Sequence, residues 1–190
     1  MIAWNDGTWM HAPESVSISD DTLVVTAKEG SDAWRRTAYG FVHDSAHALL
    51  TPFGVGEAME VTFRAAWEGQ FDQAGVFVRV DDERWVKSGV EFADDHLGMG
   101  AVVTDGHSDW SIGYVDDWLD RDITVRVSRW ADALIVRARA DAEDWRLIRV
   151  TPFGEEAVAA AGPFLAAPTR AGLTVRFLRW ERTTADTVLH

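Results

Sequence analysis

Hydrophobic and polar residues alternate with a period of two along most of the chain, whereas the helical period is rare. In residues 59–67, for example, apolar side chains at the odd positions alternate with Glu60, Thr62 and Arg64. This alternation predicts strands with one face in a core and the other in water. The remaining predicted strands are 23–27, 73–80, 85–92, 101–104, 123–128, 134–140, 145–150 and 173–180.

Turn-forming pairs such as Glu68-Gly69 and Asp105-Gly106 separate these strands. About ten short strands without crossover helices are typical of an antiparallel β-sandwich. The one predicted helix covers residues 155–161, which are rich in alanine and precede Gly162-Pro163. Thr-Pro-Phe-Gly occurs at 51–54 and again at 151–154 in different surroundings, which indicates shared turn chemistry rather than a duplicated module. No linker divides the chain, so we expect a single all-β domain over residues 1–190.

The hairpin formed by 73–80 and 85–92 has one valine-rich face and one unusual face. The unusual face carries Gln73, Gly75, Phe77, Arg79, Trp85, Lys87, Gly89 and Glu91. Paired residues must share a face, which leaves two registers open. A three-residue loop at 81–83 would pair Arg79 with Trp85, Phe77 with Lys87 and Gln73 with Glu91, and in the next register the same pairs become diagonal neighbours. In either register Arg79 lies near an aromatic ring, within reach of a cation–π contact, and Gln73 stays next to Glu91.

A solvated outer face is the simpler interpretation of such a pattern. However, glycine inside a strand weakens it unless something must approach closely, and the mixture of aromatic and charged side chains is unlike an ordinary outer face. We therefore interpret this surface as a binding face. Carboxylates and amides hydrogen-bond to hydroxyl groups, and tryptophan stacks on the apolar face of a sugar ring. The expected ligand is a small polar molecule, a saccharide or polyol, with Trp34, Trp85 and Trp110 as the tryptophans of the cavity.

The net charge narrows the function classes. Lysine and arginine number 18 against 31 aspartate and glutamate, a net charge of −13, which repels phosphate backbones and anionic lipids. We therefore expect neither nucleic-acid binding nor membrane binding. The chain has no secretory signal pattern and no apolar run of about 20 residues, so a cytoplasmic protein is expected. There is no cysteine, and of the six histidines only His43 and His47 are close, so no metal site and no cofactor are predicted.

Four blocks carry a family resemblance: Ser31-Asp32-Ala33-Trp34-Arg35, residues 72–79, residues 85–91 and Ser108-Asp109-Trp110-Ser111. They closely resemble the signature blocks of the domain-of-unknown-function 1349 family, a bacterial and fungal family that includes regulator-of-enolase proteins. The resemblance runs from Trp4 to about Trp180 and implies a concanavalin A-like jelly-roll sandwich with a concave polar face. By matching position it implies a cavity lined by Trp34, Arg35, Gln73, Arg79, Lys87, Glu91, Asp109 and Trp110, with His47 as a further member. Ala33 departs from the family, which usually has an aromatic residue there.

Glu91 is the candidate acid/base if the protein is an enzyme, which the sequence leaves open. Glycoside hydrolysis needs two carboxyl groups about 5–5.5 Å or 6.5–9.5 Å apart. The glutamate and aspartate run of concanavalin-like glycosidases is missing, and Asp109 would have to come from a loop. Three hypotheses follow: a binder of a small polar ligand, a glycoside-active enzyme using Glu91, and a protein-interaction regulator of a metabolic enzyme. Open sandwiches pair through edges or faces, so a homodimer is compatible with the sequence.

Overall fold

The computed structural model describes residues 1–189 and confirms an antiparallel β-sandwich. Its strands are β1 Thr8–Trp9, β2 Ser15–Ser19, β3 Thr22–Thr26, β4 Ala33–Arg35, β5 Val42–Asp44, β6 His47–Phe53, β7 Glu57–Ala65, β8 Asp72–Arg79, β9 Arg84–Ala93, β10 His96–Asp105, β11 His107–Tyr114, β12 Ile123–Trp130, β13 Ala133–Ala140, β14 Arg146–Pro152, β15 Ala159–Ala166 and β16 Thr174–Thr184. Single 3-10 turns lie at Trp4–Asp6 and Asp116–Trp118. Within this part of the chain no helix has the length and apolar character needed to cross a membrane.

The strands form two seven-stranded sheets and a separate two-stranded hairpin. The front sheet has the order β1-β6-β15-β8-β9-β10-β11, and the back sheet has the order β14-β13-β12-β7-β16-β3-β2. The hairpin consists of β4 and β5. Each sheet combines strands from both halves of the chain, so both sheets depend on contacts between residues far apart in sequence.

The main core fills the space between the two sheets. Val76 and Val78 of β8 face inward from the front sheet, while Val61 and Phe63 of β7 face inward from the back sheet, and all four are fully buried. Each such side chain contributes roughly 1.5–3 kcal/mol when it leaves water. The period-two alternation seen in the sequence therefore produces the sandwich directly, because each strand sends every second side chain into this layer.

A second apolar cluster lies on the outer surface of the front sheet. Phe77, Trp85, Val102 and Phe164 project from four adjacent strands and are all at most 4% exposed. Residues 31–46, which include the β4–β5 hairpin, cross this surface and pack small alanine side chains on the cluster. The polar and aromatic face that the sequence predicts on this sheet is therefore largely covered by the protein's own chain.

Of the two registers that the sequence allows for the β8–β9 hairpin, the one with a three-residue loop is observed. The observed pairs are Arg79 with Trp85, Phe77 with Lys87 and Gln73 with Glu91. The prediction of a cation–π contact for Arg79 is wrong. Its guanidinium donates hydrogen bonds to the carboxylates of Asp44 and Asp82 instead. The Trp85 ring stacks on Phe77, with the ring centroids 5.3 Å apart. A carboxylate attracts the arginine more strongly than a ring face does, and this decides where the guanidinium lies.

The predicted helix at 155–161 is also wrong. Its first part is a turn, and Ala159 begins β15, which pairs with β6 on one side and β8 on the other. Ala161 is fully buried in the main core. Two neighbouring strands satisfy the backbone of β15, and this tertiary pairing outweighs the weak intrinsic helix preference of alanine. Residues 108–111, predicted as a loop, belong to edge strand β11.

Candidate functional site

The segment 31–46 is fastened to the front sheet by charged side chains. Three ion pairs join it to β8, β9 and the loop between them: Asp32 with Lys87 at 3.1 Å, Arg35 with Glu83 at 2.5 Å and Asp44 with Arg79 at 3.2 Å. The backbone N–H of Arg35 also donates to Ser108 Oγ at 2.9 Å. Arg35, Arg79 and Lys87, which the sequence predicts as ligand contacts, therefore use their charges to hold this segment in place.

Lys87 is the centre of a buried polar network. Its ammonium donates to Gln73 Oε1 at 2.7 Å and to Asp32 Oδ1 at 3.1 Å, and the residue is only 5% exposed. Asp32 Oδ1 also accepts the backbone N–H of Ala33 at 2.7 Å. Asp32 is not among the residues predicted for the site, although it stands two positions before Trp34 in a block of the family resemblance. An ammonium has three donors, and these contacts use two of them.

A row of three glycines lies beneath this network. Gly75, Gly89 and Gly100 are neighbours across β8, β9 and β10. A Cβ atom added to any of them would lie 2.0–2.1 Å from a backbone oxygen of an adjacent strand, closer than real atoms approach. The row therefore leaves no room for side chains on this stretch of backbone, and the Lys87 side chain passes across it to reach Gln73 on the neighbouring strand. The close approach that the sequence pattern predicted for these glycines is an approach of strand to strand.

Glu91 differs from the other charged residues of this face. It lies opposite Gln73 in the sheet and is half-buried, and no hydrogen bond or ion pair to its carboxylate is found among residues 1–189. Burial raises the pKa of this carboxyl above its ordinary value; the charge of Lys87 opposes the shift and that of Asp32 adds to it. An ionised carboxylate that is partly desolvated and lacks a partner is costly, and such groups concentrate at functional sites.

Glu91 opens onto a small cleft between β9, β10 and β11. Lys87, Glu91, Trp110, Ile112 and Phe164 are among its lining residues, and the cleft has a cavity volume of about 20 Å³. This volume admits about one water molecule, or one group of similar size. A whole sugar ring does not fit inside, so the cleft can receive only a single hydroxyl of a larger ligand.

An aromatic strip extends from the rim of this cleft along segment 31–46. We define it by four rings: Trp110, Trp34, Tyr39 and Phe41. The centroid separations between successive rings are 6.5, 5.9 and 5.2 Å. Trp110 is 46% exposed, Tyr39 66% and Phe41 43%. Tyr39 and Phe41 are absent from the predicted site residues, although their aromatic character and their position just after Trp34 are visible in the sequence.

Several predicted site residues do not line the cleft. Trp85 is buried in the second apolar cluster instead of lining a cavity, and Arg35 and Arg79 are held in the ion pairs described above. Two more, His47 and Asp109, point to the other side of the front sheet.

His47 pairs with the core residue Leu165 and therefore points to the inner face of the front sheet. Its Nε2 accepts the backbone N–H of Lys28, so Nδ1 carries the proton donated to the His11 carbonyl, both at 3.1 Å. Burial lowers the pKa of His47, which favours this neutral form. The expectation that His47 lines the cavity is not met, because the ring hydrogen-bonds to the backbone of His11 and Lys28 instead.

Asp109 is the second residue that points away from the outer surface of the front sheet. In β11, Ser108, Trp110 and Ile112 face the outer surface of the front sheet, so Asp109 points to the opposite side. There its carboxylate accepts from Arg149 of β14 at 3.0 Å. Asp109 therefore supplies no second carboxylate to Glu91. In the part of the chain that the structure describes, no group of three or more histidine, aspartate or glutamate side chains could hold a metal ion.

The raised pKa of Glu91 leads to a testable dependence of stability on pH. The folded state keeps this proton to a higher pH than the unfolded chain, in which a glutamate has a pKa of about 4.3. The free energy of unfolding therefore falls as pH rises from the unfolded pKa through the raised folded one. Replacement Glu91→Gln removes this titration, so we expect the variant to have a Tm a few degrees above wild type at pH 7 and an equal Tm near pH 4.

Thermal unfolding of both proteins across this pH range measures the effect. Glu156→Gln serves as the matched control because Glu156 is exposed on a surface turn. Its Tm should follow that of the wild type at every pH. Equal Tm values for wild type and Glu91→Gln at pH 7 would contradict the assigned environment of Glu91.

Comparison with known proteins places this geometry in a family. Residues 9–185 match the family described as "Protein of unknown function (DUF1349)". The chain is 36% identical over 179 residues to "Regulation of enolase protein 1" of Saccharomyces cerevisiae, covering 94% of this chain and 90% of the relative. A crystal structure of a functionally unknown protein from Saccharomyces cerevisiae superposes with a TM-score of 0.90 at 35% identity, covering 96% of this chain and 98% of that one.

More distant structures share the fold alone. A xylan β-1,4-xylosidase from Bacillus halodurans gives a TM-score of 0.73 at 11% identity over 95% of this chain, but only 38% of the xylosidase chain is covered. Lectin I-B4 from Griffonia simplicifolia, in its metal-free form, gives 0.56 at 14% identity over 94% of this chain and 93% of the lectin. These neighbours confirm the concanavalin A-like sandwich. By the extent of its sequence match, this chain belongs to the DUF1349 family of proteins of unknown function.

Proposed function

We propose that the cleft at Glu91 binds one hydroxyl group of a saccharide or polyol whose apolar face lies on Trp110. The observation that carries this proposal is the half-buried Glu91 carboxylate, which has no partner among residues 1–189. Partial desolvation penalises the charged form of this carboxylate. A ligand hydroxyl that donates to Glu91 would offset part of this penalty.

The charges around the cleft favour a neutral ligand group. A hydroxyl both donates and accepts, so it can donate to Glu91 and accept from the third N–H of the Lys87 ammonium. A carboxylate ligand would meet the negative charge of Glu91, and an ammonium ligand would meet that of Lys87. The small volume of the cleft leaves the rest of the ligand outside, where the half-exposed indole of Trp110 offers a stacking surface.

The test is a binding titration monitored by saturation-transfer NMR, with xylose, glucose and the β-1,4-linked trisaccharide of each as probes. We expect binding that weakens at least tenfold in Glu91→Gln and in Trp110→Ala, which corresponds to about 1.4 kcal/mol for each contact. Trp130→Ala is the matched control, because Trp130 is 43% exposed and belongs to the back sheet. Absence of binding to the folded wild type, or equal losses in all three variants, would exclude this function for the cleft.

Glycoside hydrolysis is a weaker candidate, favoured by the raised pKa of Glu91, a property suited to a general acid. Hydrolysis needs a second carboxylate, and Asp32 is the carboxylate whose charge acts on Glu91. Its Oδ1, however, already accepts from Lys87 and from the backbone N–H of Ala33. Asp32 is also absent from the lining of the cleft. Turnover of aryl β-xyloside or β-glucoside, abolished in Glu91→Gln, would favour hydrolysis over simple binding.

A protein-binding function is the other candidate, and it is favoured by the name of the 36% identical yeast relative. Exposed aromatic rings are common anchors of protein interfaces, and Tyr39 and Phe41 of the aromatic strip are such rings. Binding of purified enolase, lost in Tyr39→Ala/Phe41→Ala and kept in Glu91→Gln, would assign the strip to a protein partner. The reverse pattern with a sugar probe would assign the site to a saccharide.

A further inference from the structure

The two sheets have four edge strands, and three of these carry features that block pairing with another chain. β1 is only two residues long. β14 contains Arg146 and Arg149, ends on Pro152, and has an irregular register with β13. β11 is tied to segment 31–46 at Ser108, and Asp109 joins it to β14. Short length, charge, proline and local irregularity are the usual ways in which edge strands avoid association.

Strand β2 has none of these features. Its five residues, Ser15-Val16-Ser17-Ile18-Ser19, are uncharged and all exposed, and its pairing with β3 is regular. Val16 and Ile18 pair with Val25 and Leu23, which are buried in the main core, so both apolar side chains lie on the core-facing side of the back sheet. They nevertheless remain 44% and 49% exposed, because the front sheet does not extend over them.

We propose that β2 pairs antiparallel with β2 of a second copy of this chain and joins the two back sheets across a two-fold axis. The order of residue types in β2 is the same when read from either end: serine and a β-branched apolar residue alternate on both sides of Ser17. Pairing centred on Ser17 places Val16 of each copy opposite Ile18 of the other, and serine opposite serine on the other face. An isologous interface requires this self-complementarity, in which the same patch serves both subunits. The outward backbone N–H and C=O groups of β2 also gain partners.

Charge sets the strength of this association. Each chain has a net charge of −13, and Glu14, Asp20 and Asp21 flank β2, so acidic groups of the two copies approach at both ends of the pair. Repulsion between exposed charges weakens as salt shortens the Debye length from about 10 Å at 0.1 M to 3 Å at 1 M. The dimer is therefore weak at low ionic strength and stronger at high ionic strength, the opposite of an interface held by ion pairs.

Sedimentation velocity of the full chain tests this assignment, over about 10 µM to 1 mM protein at 0.1 M and 1 M NaCl. We expect a monomer–dimer equilibrium that tightens with salt. Val16→Lys and Ile18→Lys should each raise the dissociation constant at least tenfold. Val150→Lys is the matched control, because Val150 is 41% exposed on edge strand β14, and it should dimerise like the wild type.

Other outcomes would overturn the proposal. These are a wild type that stays monomeric throughout, a dimer that persists in Val16→Lys/Ile18→Lys, or a dimer lost equally in Val150→Lys. Circular dichroism of each variant confirms that the fold is retained. Saccharide binding at Glu91 is independent of this interface, so either proposal can fail without the other.

Discussion

Replacing Arg129 with methionine should lower the free energy of unfolding by about 4 kcal/mol, which corresponds to a fall in Tm of about 8–16 °C for a chain of this length. Arg129 of β12 is 2% exposed and points inward at the end of the main core. Its guanidinium donates to the carbonyls of Phe53, Gly154, Glu155 and Ala157, at 2.7–3.2 Å. Methionine keeps the apolar stem but none of these donors.

Arg129 also explains the repeated Thr-Pro-Phe-Gly sequence. The first copy ends β6 and contributes the Phe53 carbonyl; the second ends β14 and contributes the Gly154 carbonyl and the Phe153 ring, 5.1 Å from the guanidinium carbon. Both copies therefore end a strand at the same arginine and accept hydrogen bonds from its guanidinium. This agrees with shared turn chemistry rather than duplication. Because a hydrogen bond to a charged group contributes about 1.5–3 kcal/mol, losing several at once gives the large expected effect.

Denaturant unfolding, followed by tryptophan fluorescence, measures this loss. Arg129→Lys keeps the charge but cannot reach all four carbonyls, so its stability should lie between those of wild type and Arg129→Met. An effect of Arg129→Met below about 1 kcal/mol would show that water replaces the guanidinium at little cost.

The second large effect is expected at Lys87. Lys87→Met should cost about 3 kcal/mol, because it removes one member of a buried pair and leaves Asp32 Oδ1 and Gln73 Oε1 without their strongest donor. Segment 31–46 then loses one of its three charged attachments to the front sheet. The loss should appear both in global unfolding and in faster amide hydrogen exchange within that segment.

A double-mutant cycle isolates the pair. Asp32→Asn/Lys87→Met should be more stable than the sum of the single changes predicts, with a coupling energy of about 2 kcal/mol. The matched control is Arg84→Met, which breaks the ion pair with Asp81 in the loop of the same hairpin. The two side chains are 57% and 43% exposed, so water screens the pair and the loss of stability should be much smaller than for Lys87→Met. A coupling energy near zero at Lys87 would contradict the role assigned to this network.

Much of the β8–β9 hairpin follows from local sequence alone. Strict alternation assigns each side chain to a face and leaves two registers that keep charges out of the core; the structure adopts the one with the loop at 81–83. The placement of Glu91 beside Gln73 and across the glycine row from Lys87 follows from these two facts. The same reasoning succeeds for the long strands around Val61 and Val125, whose period of two is uninterrupted.

The failures share a different cause. For residues 155–161, composition favours a helix. The end of this segment instead begins β15, which pairs with β6 and β8, two strands distant in sequence, in the middle of the front sheet. For His47 and Asp109, the residue type suits a binding site, but each sits at the start of a strand where no long alternating run sets the phase. A shift of one residue turns a side chain to the other face, so such positions are not decided locally.

The sequence by itself determined the all-β sandwich, the pairing of β8 with β9 and the mixed polar and aromatic character of one face, because each rests on period-two patterning and short turns. Only the tertiary structure decided which of those polar residues remain free. Residues 31–46 fold across the face and bind Arg79 and Lys87 through Asp44 and Asp32. Within the described chain this leaves Glu91 without a partner and Trp110 half-exposed, because long-range ion pairing depends on where distant segments meet in space.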